Sequence, residues 1–556
     1  MPDAPLTDIV LACIAFIYLA YHYALDRGHR TPQLRGPPSN NPLFGLVPTM
    51  MSVDSGDICE EWAARYGLAF TVPAILGSKW LVIGDPKALA HLIGKEPYGY
   101  VRPPAAKSFQ EELLGKGLFT AEGDEYTRQR KTLNQAFTSN AVKDLMPIFF
   151  ESAYKVGCLS ILLFADEKHR YQTKAAWDTM IENEPAETKI IEVQRWMNHI
   201  SLDTIGLAGF SHAFNTLSGH TTAITSAFES LGRTTFFETC IAVLSVAVPL
   251  FNRIPTRRRR MMNQLTETMQ QLGEEFLGNA RRMSREALSA DKSVIGLLAK
   301  SANAEKIKAD EVTSQINLLL LAGYESTATK VSFTWSLIEL ARNPAIQTRL
   351  REELLKLGRD PTWEELNNQE TYLDAFASEI LRLHPPLGDL YRMAAQDDVL
   401  PLSQPIRDAN GKVLNSVFVK RGTTVVLAVQ CINSAEAYWG RDSKKFMPER
   451  WLVGTTTRGG MNLKGVRERK LGAQDIKGYR HLLSFSDGAR ICPGKTFAVM
   501  ELKIALSVLV RYFTFEFPKG PDTAIGRERN ILLRPKVVGE EGYDVPLRVG
   551  QYMTSN

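Results

Sequence analysis

Cysteine is scarce in this chain of 556 residues: six in all, Cys13, Cys59, Cys158, Cys240, Cys431 and Cys492, with no Cys-x-x-Cys pair among them. That spacing excludes a zinc ribbon and the disulfide scaffold of a small secreted domain. No Asn-x-Ser/Thr acceptor occurs either. Both absences fit a body held in a reducing, cytosol-facing compartment. No Gly-x-Gly-x-x-Gly follows a strand-like run, so the sequence shows no nicotinamide or flavin domain of its own. A net charge of +5 is small and makes no case for nucleic acid as a partner. Internal repeats and low-complexity tracts are absent as well.

What is present is ordinary in bulk, 44% hydrophobic and 23% charged, enough for a core that encloses a cofactor. One apolar run stands out, from about Leu6 to Leu25. It has the ~20 residues that a spanning helix needs. Its start holds Asp3 and Asp8 without Lys or Arg, unlike a cleaved signal peptide, and Arg27, Arg30 and Arg35 follow it. The positive-inside rule then puts the body on the cytoplasmic side of an uncleaved, single-pass anchor. Residues 1–28 are the expected anchor, residues 29–50 a linker stiffened by Pro32, Pro37, Pro38 and Pro42, and residues 51–556 the body. A second apolar stretch, Thr234 to Phe251, is too interrupted to span, and Arg257–Arg260 just after it suits either solvent or anionic lipid headgroups.

Within the body, strand-like residues run from Phe70 to Ile83, and Asp85-Pro86 opens a helix to about Ile93. Glu122 opens another, which sets Tyr126 and Arg130 on one face; Arg128 and Lys131 look solvated. The longest helical pattern runs from Asp310, as a cap, to Asn343. Its apolar face breaks at Ala322-Gly323-Tyr324-Glu325-Ser326-Thr327, which on its own reads as a small-residue helix crossing with a solvated acid. Asp360-Pro361 starts a further helix, with Pro361 in its first turn. The next, about Thr371 to Leu383, carries Glu379 and Arg382 three apart, taken alone an ordinary surface ion pair. Val417 to Val429 alternates like strands around a Lys420-Arg421-Gly422 turn, and Gly454 to Lys477 reads as a long surface loop.

Cys492 lies in the turn-rich stretch Ser484–Gly494, just before an apolar helical run from Lys495 to about Tyr512. A helix N-terminus and a nearby cation such as Arg490 favour a thiolate, which is a metal ligand. A buried free cysteine is the bland alternative. Against it, Phe485, Gly488, Arg490, Cys492 and Gly494 fill every position of Phe-x-x-Gly-x-Arg-x-Cys-x-Gly, and the stretch resembles the haem-binding loop of the cytochrome P450 family. Three more segments resemble that family in the expected order: Ala322-Gly323-x-Glu325-Ser326-Thr327, Glu379-x-x-Arg382, and Pro448-Glu449-Arg450-Trp451.

The resemblance implies a fold that is mainly α with small β-sheets, a triangular helical prism enclosing haem, joined here to an N-terminal transmembrane helix. It makes Cys492 the axial ligand of the haem iron, in a loop with Phe485, and Glu325, Ser326 and Thr327 the residues that deliver protons during dioxygen activation. Ser326 stands where the family usually has Thr. Arg490, Arg130, Arg392 and Tyr126 would bind the haem propionates, Tyr126 replacing the usual Trp. Glu379, Arg382 and Arg450 would form a structural triad. The implied activity is monooxygenation of a lipophilic small molecule, terpenoid-like in fungal microsomal members, in the endoplasmic reticulum membrane. Electrons would come from NADPH through a cytochrome P450 reductase, with cytochrome b5 as a second donor. Lys131, Lys444, Lys445, Lys495 and Lys503 are candidates for the docking face, and residues near Phe109–Phe119, Phe236, Leu321 and Ala322 for the substrate pocket. A haem-thiolate isomerase that rearranges peroxides and a non-enzymatic haem sensor are the competing readings.

Overall fold

The computed structural model describes residues 34–51, 55–157, 176–182, 184, 188–220, 222–230, 238, 241, 254, 256–282, 293–303, 309–323, 330–452, 482–529, 533–542 and 544–552. The expected anchor, residues 1–28, Phe236 and the loop after Gly454 lie outside them. Among the described residues no helix is long and apolar enough to cross a membrane.

Most of the described chain is helical, and the helix over Lys495–Tyr512 is its axis. Every residue from Phe497 to Arg511 is buried, as expected of a helix that is apolar nearly all round. It packs against Met146–Gly157, Pro344–Leu355 and Tyr372–Leu383. Its buried lysine is neutralised inside the protein. Lys503, only 2% exposed, donates to Asp374 at 2.6 Å and to the Leu366 carbonyl at 2.5 Å. Lys503 therefore leaves the set of candidate docking lysines. A period-3.6 pattern does not separate a buried lysine with a fixed partner from a solvated one.

Helix ends follow local chemistry. Asp85 caps Pro86–Gly94 by accepting from the Lys87 and Ala88 amides. Thr362, not the Asp360-Pro361 pair, caps Trp363–Asn367, in a capping box with Glu365. Pro361 thus precedes the helix instead of entering its first turn. Thr371 caps Tyr372–Leu383, whose residues Tyr372 to Arg382 are all buried. The central helix is described from Ala309, with Asp310 within it. It runs to Leu321, continues with a wider π-type turn at Ala322–Gly323, and is described again over Lys330–Arg342.

The sheets are small. The largest has five strands in the order Ala69–Pro73, Lys79–Ile83, Thr424–Leu427, Leu390–Ala394, Tyr100–Val101. Only the Lys79–Ile83/Thr424–Leu427 pair is parallel. The pairing of Tyr100 with Ala394 and of Val101 with Met393 sets Arg102 beside the strand that carries Arg392. The Lys420–Gly422 turn forms as expected, with Gly422 at φ +87°. The main hydrophobic cluster fills the helical part, and a second joins the five-stranded sheet to Phe485, Ala498 and Val499 of the cysteine segment.

His384 ends the Glu379 helix, where its ring stacks on Trp335 at 3.9 Å and its Nε2 lies 3.0 Å from Glu339. Burial pushes its pKa down to about 4, against the pull of Glu339. The ordinary unfolded value is about 6.5, so the unfolded chain takes up the proton first. The stabilisation is complete above pH ~6.5 and is lost as pH falls toward 4, up to roughly 3 kcal/mol. Urea midpoints measured from pH 7.5 to 4.5 should fall steeply in the parent and less steeply in His384→Gln; equal slopes would show that His384 is not the responsible group.

Candidate functional site

The cysteine loop is shaped by two residues in the left-handed region, Ser486 at φ 56° and Gly488 at φ 63°. At Gly488 a side chain has no room: a Cβ would lie 2.5 Å from Ile93 Cγ2. The loop closes when the Cys492 amide donates to the Phe485 carbonyl at 2.9 Å, and Phe485 itself is buried. Pro493 withholds a donor, and the helix then starts at Lys495. Cys492 stays partly accessible. Burial pushes its thiol up, and the Gly494 amide, Arg130 and Lys495 pull it down. Arg490 is not among these groups; it faces Glu122 instead. The cation expected beside the sulfur is thus Arg130, because Arg490 points across the loop.

Behind the loop stands a buried carboxylate clamp. Glu379 and Arg382 are both 0% exposed, so they are no surface pair. Arg382 donates from Nε and Nη2 to the two carboxylate oxygens at 2.9 and 2.7 Å. Its remaining donors reach the carbonyls of Asn433 (2.9 Å), Ser443 (2.6 Å) and Lys445 (3.3 Å). Glu379 also accepts from the Met447 amide at 3.0 Å, Trp451 Nε1 at 2.9 Å and Arg450 Nε at 3.4 Å. Desolvation alone would raise the Glu379 pKa, yet Arg382 and Arg450 hold it below the usual carboxylate range. The clamp reaches the cysteine loop through Asn433, whose side chain donates to Ser484 and accepts from the Leu483 amide. Ser484 in turn donates to the Leu381 carbonyl at 2.6 Å, back on the Glu379 helix.

On the other side of the loop the structure gathers arginines. Arg490, 3% exposed at its side chain, pairs with Glu122. Arg392, 8% exposed, pairs with Glu96. Arg102, which no motif in the sequence marks, joins them: its amide donates to Glu122 at 2.9 Å and its Nη1 lies 3.6 Å away. Burial first, then Arg490 and Arg392, push the Arg102 pKa down to about 9. Tyr126 lies under the Arg490 guanidinium at 4.6 Å, but its hydroxyl donates to the Ala489 carbonyl at 2.7 Å. Its proton is therefore committed to the loop backbone and not free for a ligand. Arg130 reaches the Tyr126 hydroxyl at 3.5 Å.

Arg128 is not simply solvated. It grips Glu311 of the central helix in a bidentate pair at 3.0 and 2.5 Å, and a buried chain through Gln129 and Gln315 continues to the Leu118 amide. Farther along, a Cβ on Gly323 would fall 2.5 Å from Ile205 Cγ1, and Ser201 donates to the Gly323 carbonyl. Gly323 thus has a packing reason of its own, the close crossing of Val193–Phe210. Glu325, Ser326 and Thr327 lie outside the described residues. Of the pocket candidates, Phe109 is 47% and Phe119 37% exposed, and Arg102 lies 4.8 Å over the Phe119 ring.

A haem would need a sulfur ligand on one side and cations for two carboxylates at its edge. The residues fit. Cys492 is the half-buried cysteine of the loop, and Arg490 Nε and Nη1, with Arg102 Nη1, are buried donors without hydrogen-bond partners. Such orphaned donors are costly unless a ligand satisfies them.

Glu379→Gln should destabilise the protein by about 3–5 kcal/mol, because it leaves Arg382 and Arg450 buried without their counter-charge. Denaturant titration checks this, and the same variant should retain little haem. A change under about 1 kcal/mol would contradict the clamp's importance.

The comparisons with known proteins agree with this geometry. The family model of cytochrome P450 matches residues 35–538. The cytochrome P450 monooxygenase claQ of Ampulloclitocybe clavipes is 43% identical over 555 residues, 97% of each chain. Cytochrome P450 monooxygenase 205 of Postia placenta is 29% identical, over 93% of this chain and 92% of its own. A ganoderic acid synthetase of Ganoderma lucidum is also 29% identical, over 94% of each chain. A family match over residues 35–538, together with a helical fold built around a cysteine loop, leads to one conclusion: the chain belongs to the cytochrome P450 family, as a haem-dependent monooxygenase that draws electrons from a redox partner.

Proposed function

We propose that this protein is a single-pass, endoplasmic-reticulum monooxygenase that inserts one oxygen atom of O2 into a lipophilic secondary metabolite of terpenoid type. NADPH supplies the electrons through a membrane-bound cytochrome P450 reductase, with cytochrome b5 as a second donor. The observation that carries the site assignment is a pairing. An accessible Cys492 sits in a backbone-locked loop, and an arginine cluster with unfilled buried donors lies beside it.

In this reading Cys492 gives up its proton and binds the metal, and the Phe485–Cys492 backbone bond holds the sulfur in place. Arg490, Arg102, Arg392 and Arg130 orient the cofactor by its carboxylates. Haem supplies the oxygen and electron chemistry when bound. Glu325 passes protons inward, and Ser326 or Thr327 holds the last hydroxyl of that path. The lipophilic substrate is supported by the apolar residues of the central helix, Leu318 to Leu321, and by the kinship with fungal monooxygenases of secondary metabolism. The membrane location is supported by the apolar run before Arg27. Lys131 is exposed and remains a docking candidate; Lys445 and Lys444 are exposed too, but Lys445 spends its charge on Asp442 and Lys444 on Asp57 and Glu60.

Two measurements test the proposal. The reduced protein should give the strongly red-shifted carbon-monoxide Soret band of a thiolate ligand, and Cys492→Ala should lose that band while keeping its helical circular-dichroism spectrum. Well-folded parent protein without a haem band would sink the site assignment. In microsomes with the reductase, NADPH should drive oxidation of terpenoid-like substrates, and Glu325→Gln should slow it at least about tenfold, in line with loss of a general acid. Turnover without NADPH, or hydroxylation of fatty acids alone, would overturn the activity or the substrate class.

A further inference from the structure

The arginine cluster contains two carboxylates that the binding of haem does not by itself require. Glu96 is 1% exposed at its side chain and Glu122 is 19% exposed. Taking an ionised carboxylate out of water costs several kcal/mol unless cations compensate it. Each glutamate spends its charge on an arginine expected to bind the cofactor: Glu96 on Arg392 Nε, Glu122 on Arg490 Nη2 and on the Arg102 backbone.

Charge and geometry make sense of this together. Arg102, Arg130, Arg392 and Arg490 bring four positive charges into one region, and Glu96 and Glu122 cancel two of them. The excess of two matches a dicarboxylate such as haem. Without the glutamates the guanidinium groups would repel one another in a buried setting. A guanidinium also has its five donors in one rigid plane, so fixing one nitrogen aims the others. With Nη2 of Arg490 held by Glu122, its Nε and Nη1 remain buried without a hydrogen-bond partner, as does Nη1 of Arg102. Four elements deliver these groups. They are the short strand before Arg102 and its neighbour bearing Arg392, the start of the Gly123–Leu133 helix, and the cysteine loop.

We infer that Glu96 and Glu122 are positioning residues for the cofactor. They aim the arginines before haem arrives and trim the cradle's charge to that of its two carboxylates. This rests on the haem reading above. In this role the groups act through Arg392, Arg490 and Arg102.

The test measures haem loss from the holoprotein to excess apomyoglobin, in the parent, Glu122→Gln and Glu96→Gln. Each protein is also loaded with the haem dimethyl ester, which lacks the carboxylates. Positioning predicts haem loss about tenfold faster in Glu122→Gln, the loss of about one charge-assisted hydrogen bond's alignment. Glu96→Gln should change in the same direction. The carbon-monoxide band of the haem-loaded variants should stay in place, because Cys492 is untouched. With the diester, the parent and variants should release at equal rates. Unchanged or slower haem loss would overturn the inference, as would equal acceleration with haem and diester, which is the mark of general loosening. If Glu122→Gln retains no haem, Glu122→Asp takes its place: it keeps the charge but shifts it by one methylene, and loss at the parent's rate would rule out positioning. A parent protein that binds no haem would sink the haem reading and not this inference alone.

Discussion

A single carboxylate, that of Glu379, holds together parts of the chain that lie far apart in sequence. It is fully buried, and its charge is balanced by Arg382 on its own helix and Arg450 from beyond the sheet. In low dielectric such a charge is tolerated only if nearly every lone pair is used. Glu379 meets that condition with donors from Arg382, Arg450, Met447 and Trp451. Arg382 does the same with three carbonyls. The result is a rigid knot from which Asn433 and Ser484 extend to the cysteine loop. The position of Cys492 is therefore set by groups more than 40 residues away from it in sequence.

The two sides of that loop have different electrostatic tasks. Behind it, one carboxylate and two guanidinium groups are held by hydrogen bonds to each other and to backbone carbonyls, and they serve shape. In front, positive charge exceeds negative and buried donors are left over, which suits an incoming dianion. Glu311, Gln129 and Gln315 form a third polar system, which fastens the Glu122 helix to the central helix and to Leu118. The cradle, the central helix and the loop near Phe119 thus share one hydrogen-bonded framework.

How much was legible beforehand depended on the type of signal. The helix ends at Asp85 and Thr371 and the helix from Lys495 to Tyr512 follow from short-range rules and formed where those rules put them, whereas the strands around Gly422 span Val413–Val419 and Thr424–Leu427 and Val429 opens a helix. The errors came where one residue has two local options. Asp360-Pro361 and Thr362 both offer a helix start, and the reciprocal bonds with Glu365 favoured Thr362. Lys503 and Arg128 look like solvated charges in any window, but Asp374 and Glu311, distant in sequence, take them up. Arg490 sits two residues from Cys492 yet turns away from it, because Glu122 draws it across the loop.

The sequence by itself determined the class of protein and its chemistry. A cysteine flanked by glycines, an acid and arginine three apart, and an acid-hydroxyl pair in a long helix are patterns of residue type and spacing, readable without coordinates. The fold decided which charges meet. Arg102, Glu96 and Glu122 carry no local mark of their task. Strand pairing of Val101 with Met393 and the tight passage of Gly488 against Ile93 bring them to one place. Electrostatic partners are chosen by distance in space and by the loss of water around them, and neither quantity is written in the order of the residues.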